Sequence, residues 1–243
     1  ADLGAGLGAS SQALLVLGAA DGRPPPEIAL VDHQRSATND ARDLTERVAR
    51  ALRADAVPRL RVGTDRLDAW IDRAVRSGWR YDLVLAGAVL NEQRGPWEPL
   101  LDGMAAILAP GGVVVIVEAA LDEVARRLMA LREGVLAVTD TIAPCTHDAA
   151  CPLLALRRDW CFSVRRAELP PEVVRRAKAL GHQWGEVRYA FWAFRAGGGA
   201  VRGEEGLRRI VSDPMEGAHV LCGPAGRERV PAVAGALRGD LVT

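Results

Sequence analysis

Short apolar runs alternate with amphipathic stretches over the first half of the chain. The runs at 28–32 (IALVD), 60–63 (LRVG), 81–87 (YDLVLAG) and 112–118 (GVVVIVE) have strand length and are rich in Val, Leu and Ile. Near-continuous apolar runs of that length are what a strand covered on both faces requires. Between them, residues 11–20, 39–54 and 67–77 carry helical spacing, with Asn39 or Asp40 available as an N-cap. Pro110, Gly111 and Gly112 form an expected turn that ends one helix and launches a strand. The alternation predicts a parallel sheet with helices on both faces, an α/β class of fold.

The pattern changes after residue 133. From 134 to 169 the periodicity fades and cysteines appear; Pro170 and Pro171 then open a short helix to about Leu180. GEVRYAFWAFR at 185–195 alternates and is aromatic, which suits a further strand of the main sheet, and AGGGAVRGEEG after it reads as a flexible connector. RRIVSD, AHVLCG and ERVPAV, bounded by Gly and Pro, predict a small β unit over 207–243. The expected organisation is a core at 1–133, a cysteine-rich segment at 134–169, a return helix and strand at 170–196, and a C-terminal β unit at 197–243. The chain starts without Met and with almost no strand before Asp2, so an N-terminal piece is expected to precede it.

Composition refines this picture in two ways. With 49% hydrophobic residues in 243, the chain can bury one good core and a small appendage. Formal charge is zero, yet residues 1–150 hold 16 Arg against 21 acids and residues 151–243 hold 15 basic against 10 acidic residues, giving −5 and +5. A basic C-terminal part points to a polyanionic partner, RNA rather than DNA. No run approaches the roughly 18 apolar residues of a membrane span. No membrane partner is expected, and a reducing, aqueous compartment is: bacterial cytoplasm, or the mitochondrial matrix for a eukaryotic source.

The first residues carry candidate chemistry. In DLGAGLGAS, Gly4, Gly6 and Gly8 precede a helical run, so the bare backbone can turn tightly, approach a ligand and offer helix N-terminal amides to it. Asp32 ends the next predicted strand 24 residues beyond Gly8, where a carboxylate accepts hydrogen bonds from ribose hydroxyls. Asp65 follows the third strand and is placed to accept from an adenine amino group. With the leading Asp2, this D-x-G-x-G-x-G loop resembles the S-adenosylmethionine loop of class I methyltransferases more than a nicotinamide fingerprint. After the fourth strand, AGAVLNEQ at 86–93 lacks the Asn or Asp, Pro, Pro, aromatic signature of many amino-group methyltransferases. Asn91 and Glu92 remain candidates for contact with methyl donor or substrate.

All four cysteines, Cys145, Cys151, Cys161 and Cys222, can be read as one ligand set. Their spacing is not the pair-plus-pair of a zinc ribbon. Three readings stay open: a cubane iron-sulfur cluster, zinc with four Cys or with His147 in place of Cys222, and buried free thiols.

Taken in order, DLGAGLG, LVLAGAVLNE, LAPGGVVVIVE, PCTHDAACPL, RDWCFSVR and HVLCGPAG resemble the methyltransferase-like small-ribosomal-subunit assembly family (Rsm22-type), known from mitochondria and with bacterial relatives. The resemblance covers nearly the whole chain. It implies a class I S-adenosylmethionine-dependent methyltransferase (Rossmann-like) fold, a [4Fe-4S] cluster on Cys145, Cys151, Cys161 and Cys222, and S-adenosylmethionine held at Asp2, Gly4, Gly6 and Gly8. The implied partners are small-subunit rRNA and the assembling small ribosomal subunit, met by a methyltransferase or by a non-catalytic iron-sulfur assembly factor that keeps the fold. The chain departs from the family pattern at Phe162, where a His is common, and in lacking an N-terminal helical region.

Overall fold

Strand order, more than element content, decides where a ligand can sit in this chain. The computed structural model describes residues 1–52, 58–135, 139–157, 159–181, 185–197 and 206–243. Ala54, the expected end of the second helix, and most of the expected connector after residue 196 lie outside the described residues. The chain divides into two units, Ala1–Val117 with Ala193–Ala196, and Glu118–Trp192 with Gly197–Thr243.

The first unit runs β1 (Asp2–Leu3), α1 (Ala9–Ala20), β2 (Ile28–Asp32), α2 (Arg35–Ala51), β3 (Leu60–Thr64), α3 (Leu67–Arg76), β4 (Tyr81–Gly87), α4 (Glu98–Ala106) and β5 (Leu108–Ala119). Its sheet has the order β3-β2-β1-β4-β5, with every pairing along it parallel. The order reverses between β1 and β4, and such a switch point opens a crevice beyond the carboxyl ends of the strands. The four apolar residues of β2 are all buried, as a strand covered on both faces should be. On α2 the buried positions Thr38, Ala41, Thr45 and Ala49 are small and helically spaced, so α1 can pack close against α2. Ala5, Leu15, Ile28, Leu30, Ala41 and Ala49 make the core between these helices and β2.

Two local expectations change. The helix α2 begins at Arg35 after an extended Gln34, four residues before Asn39. The cause lies upstream: Asp32 Oδ1 accepts from Gln34 N at 2.9 Å, so the turn is closed by Asp32 and needs no side-chain cap. Pro110, Gly111 and Gly112 lie inside β5, where pairing jumps from Tyr81 with Leu108 to Leu83 with Val113. The expected turn is a bulge that keeps the strand going.

The second unit contains α5 (Asp122–Val135), β6 (Thr139–Ala143), β7 (Ser163–Arg166), α6 (Pro171–Ala179), β8 (Glu186–Ala196, whose last four residues belong to the first unit), β9 (Arg208–Ile210), β10 (Ala218–Gly223), β11 (Gly226–Pro231) and β12 (Leu241–Val242). Strand β7 pairs antiparallel with β8, and a separate antiparallel sheet has the order β11-β10-β9-β12. Between β6 and β7 the described residues form no regular ladder to satisfy their carbonyls. Arginines do so instead: Arg126 donates to the carbonyls of Leu154, Leu156 and Asp159, Arg132 to those of His147 and Ala149, and Arg238 to that of Trp160. A planar guanidinium with five donors suits this work, because one side chain can serve several acceptors at once. Among the described residues, no helix is long and apolar enough to cross a membrane.

Candidate functional site

A cleft of about 670 Å³ opens beyond the carboxyl ends of β1, β2 and β4. Of the residues singled out in the sequence, Gly4, Gly6, Asp32, Asp65 and Glu92 line it. Gly4 has φ +68°, and a Cβ there would sit 2.3 Å from Val89 Cγ2, so no side chain fits. Gly6 has φ +51° with nothing within 4 Å of where its Cβ would be. The first glycine is thus needed for close approach to the loop after β4, and the second leaves bare backbone facing open space.

Asp32 is the organising group. Its Oδ2 accepts from Gly6 N at 3.0 Å while its Oδ1 accepts from Gln34 N at 2.9 Å, tying the glycine loop to the end of β2. Its side chain keeps only 12% exposure, and His33 Nδ1 lies 3.4 Å from Oδ1. Asp65 pairs with Arg73 by a very short contact, which turns its carboxylate toward α3 while leaving it on the cleft wall. Ala88, also on the wall, has φ +53°, an uncommon conformation for a residue with a side chain, and its N–H donates to Val117 O at 2.7 Å. Sequence reading passed over Ala88, since nothing in an alanine advertises a left-handed backbone.

Asp2 and Gly8 are placed differently. Gly8 is the N-cap of α1 at φ +80°. Asp2 is only 2% exposed and lines a separate cavity with Ser11. Its Oδ2 accepts from Ser11 N at 3.1 Å and Ser11 Oγ at 2.7 Å, so it anchors the first turn of α1. Burial pushes its carboxyl above the ordinary 3.8, with the Ser11 hydrogen bonds opposing the shift. A raised carboxyl pKa means the folded state holds a proton that the unfolded state has released, so stability falls as pH rises from 3.8 through the folded-state value. Asp2→Asn keeps an acceptor for Ser11 and removes the charge. Urea denaturation of both proteins at a series of pH values should show the variant gaining on wild type as pH rises above the ordinary carboxyl value; a difference that stays constant with pH would refute this account.

The second candidate lies wholly in the other unit. Cys145, Cys151, Cys161 and Cys222 line one cavity of about 40 Å³, together with His147, Arg132 and Arg209. The four come from an irregular loop and from β10. All four are free thiols. Burial pushes the thiols of Cys145 and Cys222 up to about 12 and that of Cys151 above its ordinary value, against an opposing pull from Arg132. Burial and Arg132 lower the His147 imidazole, whose Nε2 lies 3.4 Å from Cys222 Sγ.

A family model for the mitochondrial small ribosomal subunit protein Rsm22 matches residues 26–228, or 203 of the 243. The chain belongs to that family. The Rsm22 match starts after the glycine loop, so Gly4 and Gly6 stand on their own geometry. The fold of this Rsm22-family chain is the class I S-adenosylmethionine-dependent methyltransferase (Rossmann-like) fold, with its switch-point cleft in place.

Solved structures that resemble the chain include a candidate methyltransferase from Thermoplasma acidophilum, at 13% identity over 84% of this chain and 70% of that one, TM-score 0.49. Precorrin-6y C5,15-methyltransferase from Geobacter metallireducens gives 14% identity over 82% and 78%, TM-score 0.45. An rRNA methylase from Streptococcus thermophilus gives 11% over 80% and 84%, TM-score 0.42. No curated protein matches the chain.

The metal expectation for this Rsm22-family chain is corrected. Among the described residues, no group of three or more His, Cys, Asp or Glu side chains is placed to hold a metal ion. Neither the [4Fe-4S] cluster nor the zinc alternative is therefore assigned to the four cysteines, and the idea of an iron-sulfur element organising an RNA-binding part goes with them. Arginine donors hold the loop where a cluster was expected to.

Proposed function

We propose that this chain binds S-adenosylmethionine in the cleft beyond β1, β2 and β4 and serves as a methyltransferase of small-subunit ribosomal RNA. The observation that carries the reading is Asp32, held at the switch point with one oxygen on the Gly6 amide. The glycine loop, kept free of side chains at Gly4 and Gly6, fits a ligand that lies against backbone. Asp65, Asp68 and Glu92 add carboxylates to the cleft wall, which suits a cofactor carrying a sulfonium and an ammonium. When bound, the cofactor supplies an electrophilic methyl group. The chain's own cleft residues would hold it: Asp32 could accept from ribose hydroxyls and Asp65 from an adenine amino group, and Glu92, also on the cleft wall, could contact the methyl donor or the substrate. Asp2 supports this loop from behind through Ser11. Family membership supports the ribosomal context, bacterial or mitochondrial.

A second reading, a factor that keeps the fold and binds RNA without transferring methyl groups, draws support from residues 86–93, which lack the Pro-Pro-aromatic signature. One experiment separates the two. Purified protein is given radiolabelled S-adenosylmethionine and small-subunit RNA from immature particles. Label in the RNA is the expected outcome. Cofactor binding with no label in any immature RNA would favour the platform, and no cofactor binding would end both the cofactor site and the enzyme.

A further inference from the structure

From Arg165 to Arg188, nearly every described residue is exposed. The two strands pair with Val164 opposite Arg188 and Arg166 opposite Glu186, and the ladder extends through Ala167 N to Gly185 O at 3.2 Å. Helix α6 sits at the far end of this hairpin. On a strand pair covered on one face, exposure alternates; here Arg165 and Arg166 are both exposed, as are Glu186, Val187 and Arg188, so both faces of the hairpin meet solvent. On α6 only Ala177 is buried. The arm is a projecting element, not a layer of the fold.

Its charge is lopsided. Between Arg165 and Arg188 the described residues hold six cations (Arg165, Arg166, Arg175, Arg176, Lys178 and Arg188) and three carboxylates (Glu168, Glu172 and Glu186). Arg165 is answered by Asp240, Arg176 by Glu172 and Arg188 by Glu186. Among the described residues, the side chains of Arg166, Arg175 and Lys178 have no hydrogen-bond or ion-pair partner. Arg166 and Arg188 stand on one face of the hairpin, two residues from Val164 and Glu186 in register, and both line a groove of about 520 Å³ whose other wall is residues 232–238 with Asp213, Pro214 and His219. Exposed cations left unpaired on a projecting arm gain nothing for the fold, and long chains held out in this way match a partner with evenly spaced negative charge.

Resting on the ribosomal reading above, we infer that the β7-α6-β8 arm is a phosphate-contacting element that docks this chain on ribosomal RNA, with Arg166, Arg175 and Lys178 as its phosphate ligands. Each such contact releases counterions, so it carries a fixed share of the salt dependence of binding, about 0.7 to 0.9 in the slope of log K against log salt. The groove beside Arg166 and Arg188 takes the backbone of one strand, and α6 adds Arg175 and Lys178 as further phosphate ligands.

The test compares wild type, the triple variant Arg166→Gln, Arg175→Gln, Lys178→Gln, and a charge-matched control, Arg47→Gln, Arg76→Gln, Arg80→Gln, in the other unit. The probe is a structured fragment of small-subunit ribosomal RNA, titrated at several salt concentrations, with S-adenosylmethionine binding measured on the same samples. The arm variant should lose about 2 from the salt slope and bind the RNA at least about tenfold more weakly at low salt, while the control keeps its slope and all three keep the same cofactor affinity. An arm variant with the wild-type slope would overturn the inference and leave the cofactor reading standing. Such a result would point instead to a protein docked on the exposed Val173, Val174 and Leu180 of the same helix. Wild type that binds the RNA no better than an acidic polypeptide would sink both the arm and the ribosomal-RNA reading.

Discussion

Replacing Arg132 by alanine is expected to destabilise the second unit by about 2–4 kcal/mol, a large share of a typical domain's stability. Arg132 is 3% exposed. It donates to His147 O at 2.7 Å and Ala149 O at 3.2 Å, and lies 3.2 Å from Glu133 Oε2, which itself accepts from Cys151 N at 3.1 Å. Alanine would strip the buried His147 carbonyl and the half-buried Ala149 contact of their donor and leave Glu133 facing the cysteine loop without its cation, and neither penalty is repaid by burying a methyl group. Lysine should recover little, because a single ammonium cannot span the two carbonyls and the carboxylate that the guanidinium fork reaches.

Urea denaturation gives the size of the effect, and amide hydrogen exchange gives its place. Protection should fall first through residues 145–157 and 159–162, with β2 and β4 of the other unit unchanged. A loss below about 1 kcal/mol would mean that water replaces the guanidinium and that the loop is held by something else.

How much of this was readable beforehand follows from what each feature depends on. The strands at 28–32 and 81–87 lie where the apolar runs put them, since an apolar run of strand length is its own signal. The meeting of Cys145, Cys151, Cys161 and Cys222 was legible too, as a shared residue type at unusual spacing. What they do was not. Protonation depends on burial and on Arg132, and neither is written in cysteine spacing. Strands β6 and β7 escaped notice because their sequences, TDTIA and SVRR, carry too few apolar residues to stand out from a loop. The start of α2 was misjudged for a related reason: Asn39 and Asp40 look like caps, but Asp32, seven residues before Asn39, closes the turn first. Asp32 itself was found, as an acid at a strand end. That it already spends one oxygen on the Gly6 amide could be learned only from the fold.

This double engagement makes Asp32→Ala the sharpest test of the cleft. The carboxylate accepts from two backbone amides, Gly6 N at 3.0 Å and Gln34 N at 2.9 Å. Hydrogen bonds to a charged acceptor contribute about 1.5–3 kcal/mol each, so alanine frees the glycine loop and the start of α2 together and removes the acceptor offered to a ribose. S-adenosylmethionine affinity should fall by about 100-fold or more by calorimetric titration, with a smaller loss of folding stability, because water can reach both freed amides at the cleft edge. Asp32→Asn keeps one good acceptor oxygen and should fall between wild type and alanine, losing whichever amide the side-chain nitrogen turns toward. Asp65→Ala is the comparison that gives the result meaning. Its carboxylate is already neutralised by Arg73 and anchors no loop, so removing it should weaken the cofactor far less. Equal losses at Asp32 and Asp65 would show that charge in the cleft, not the clamp on Gly6, sets affinity. An Asp32→Ala protein that binds the cofactor like wild type would place the cofactor elsewhere than against this loop.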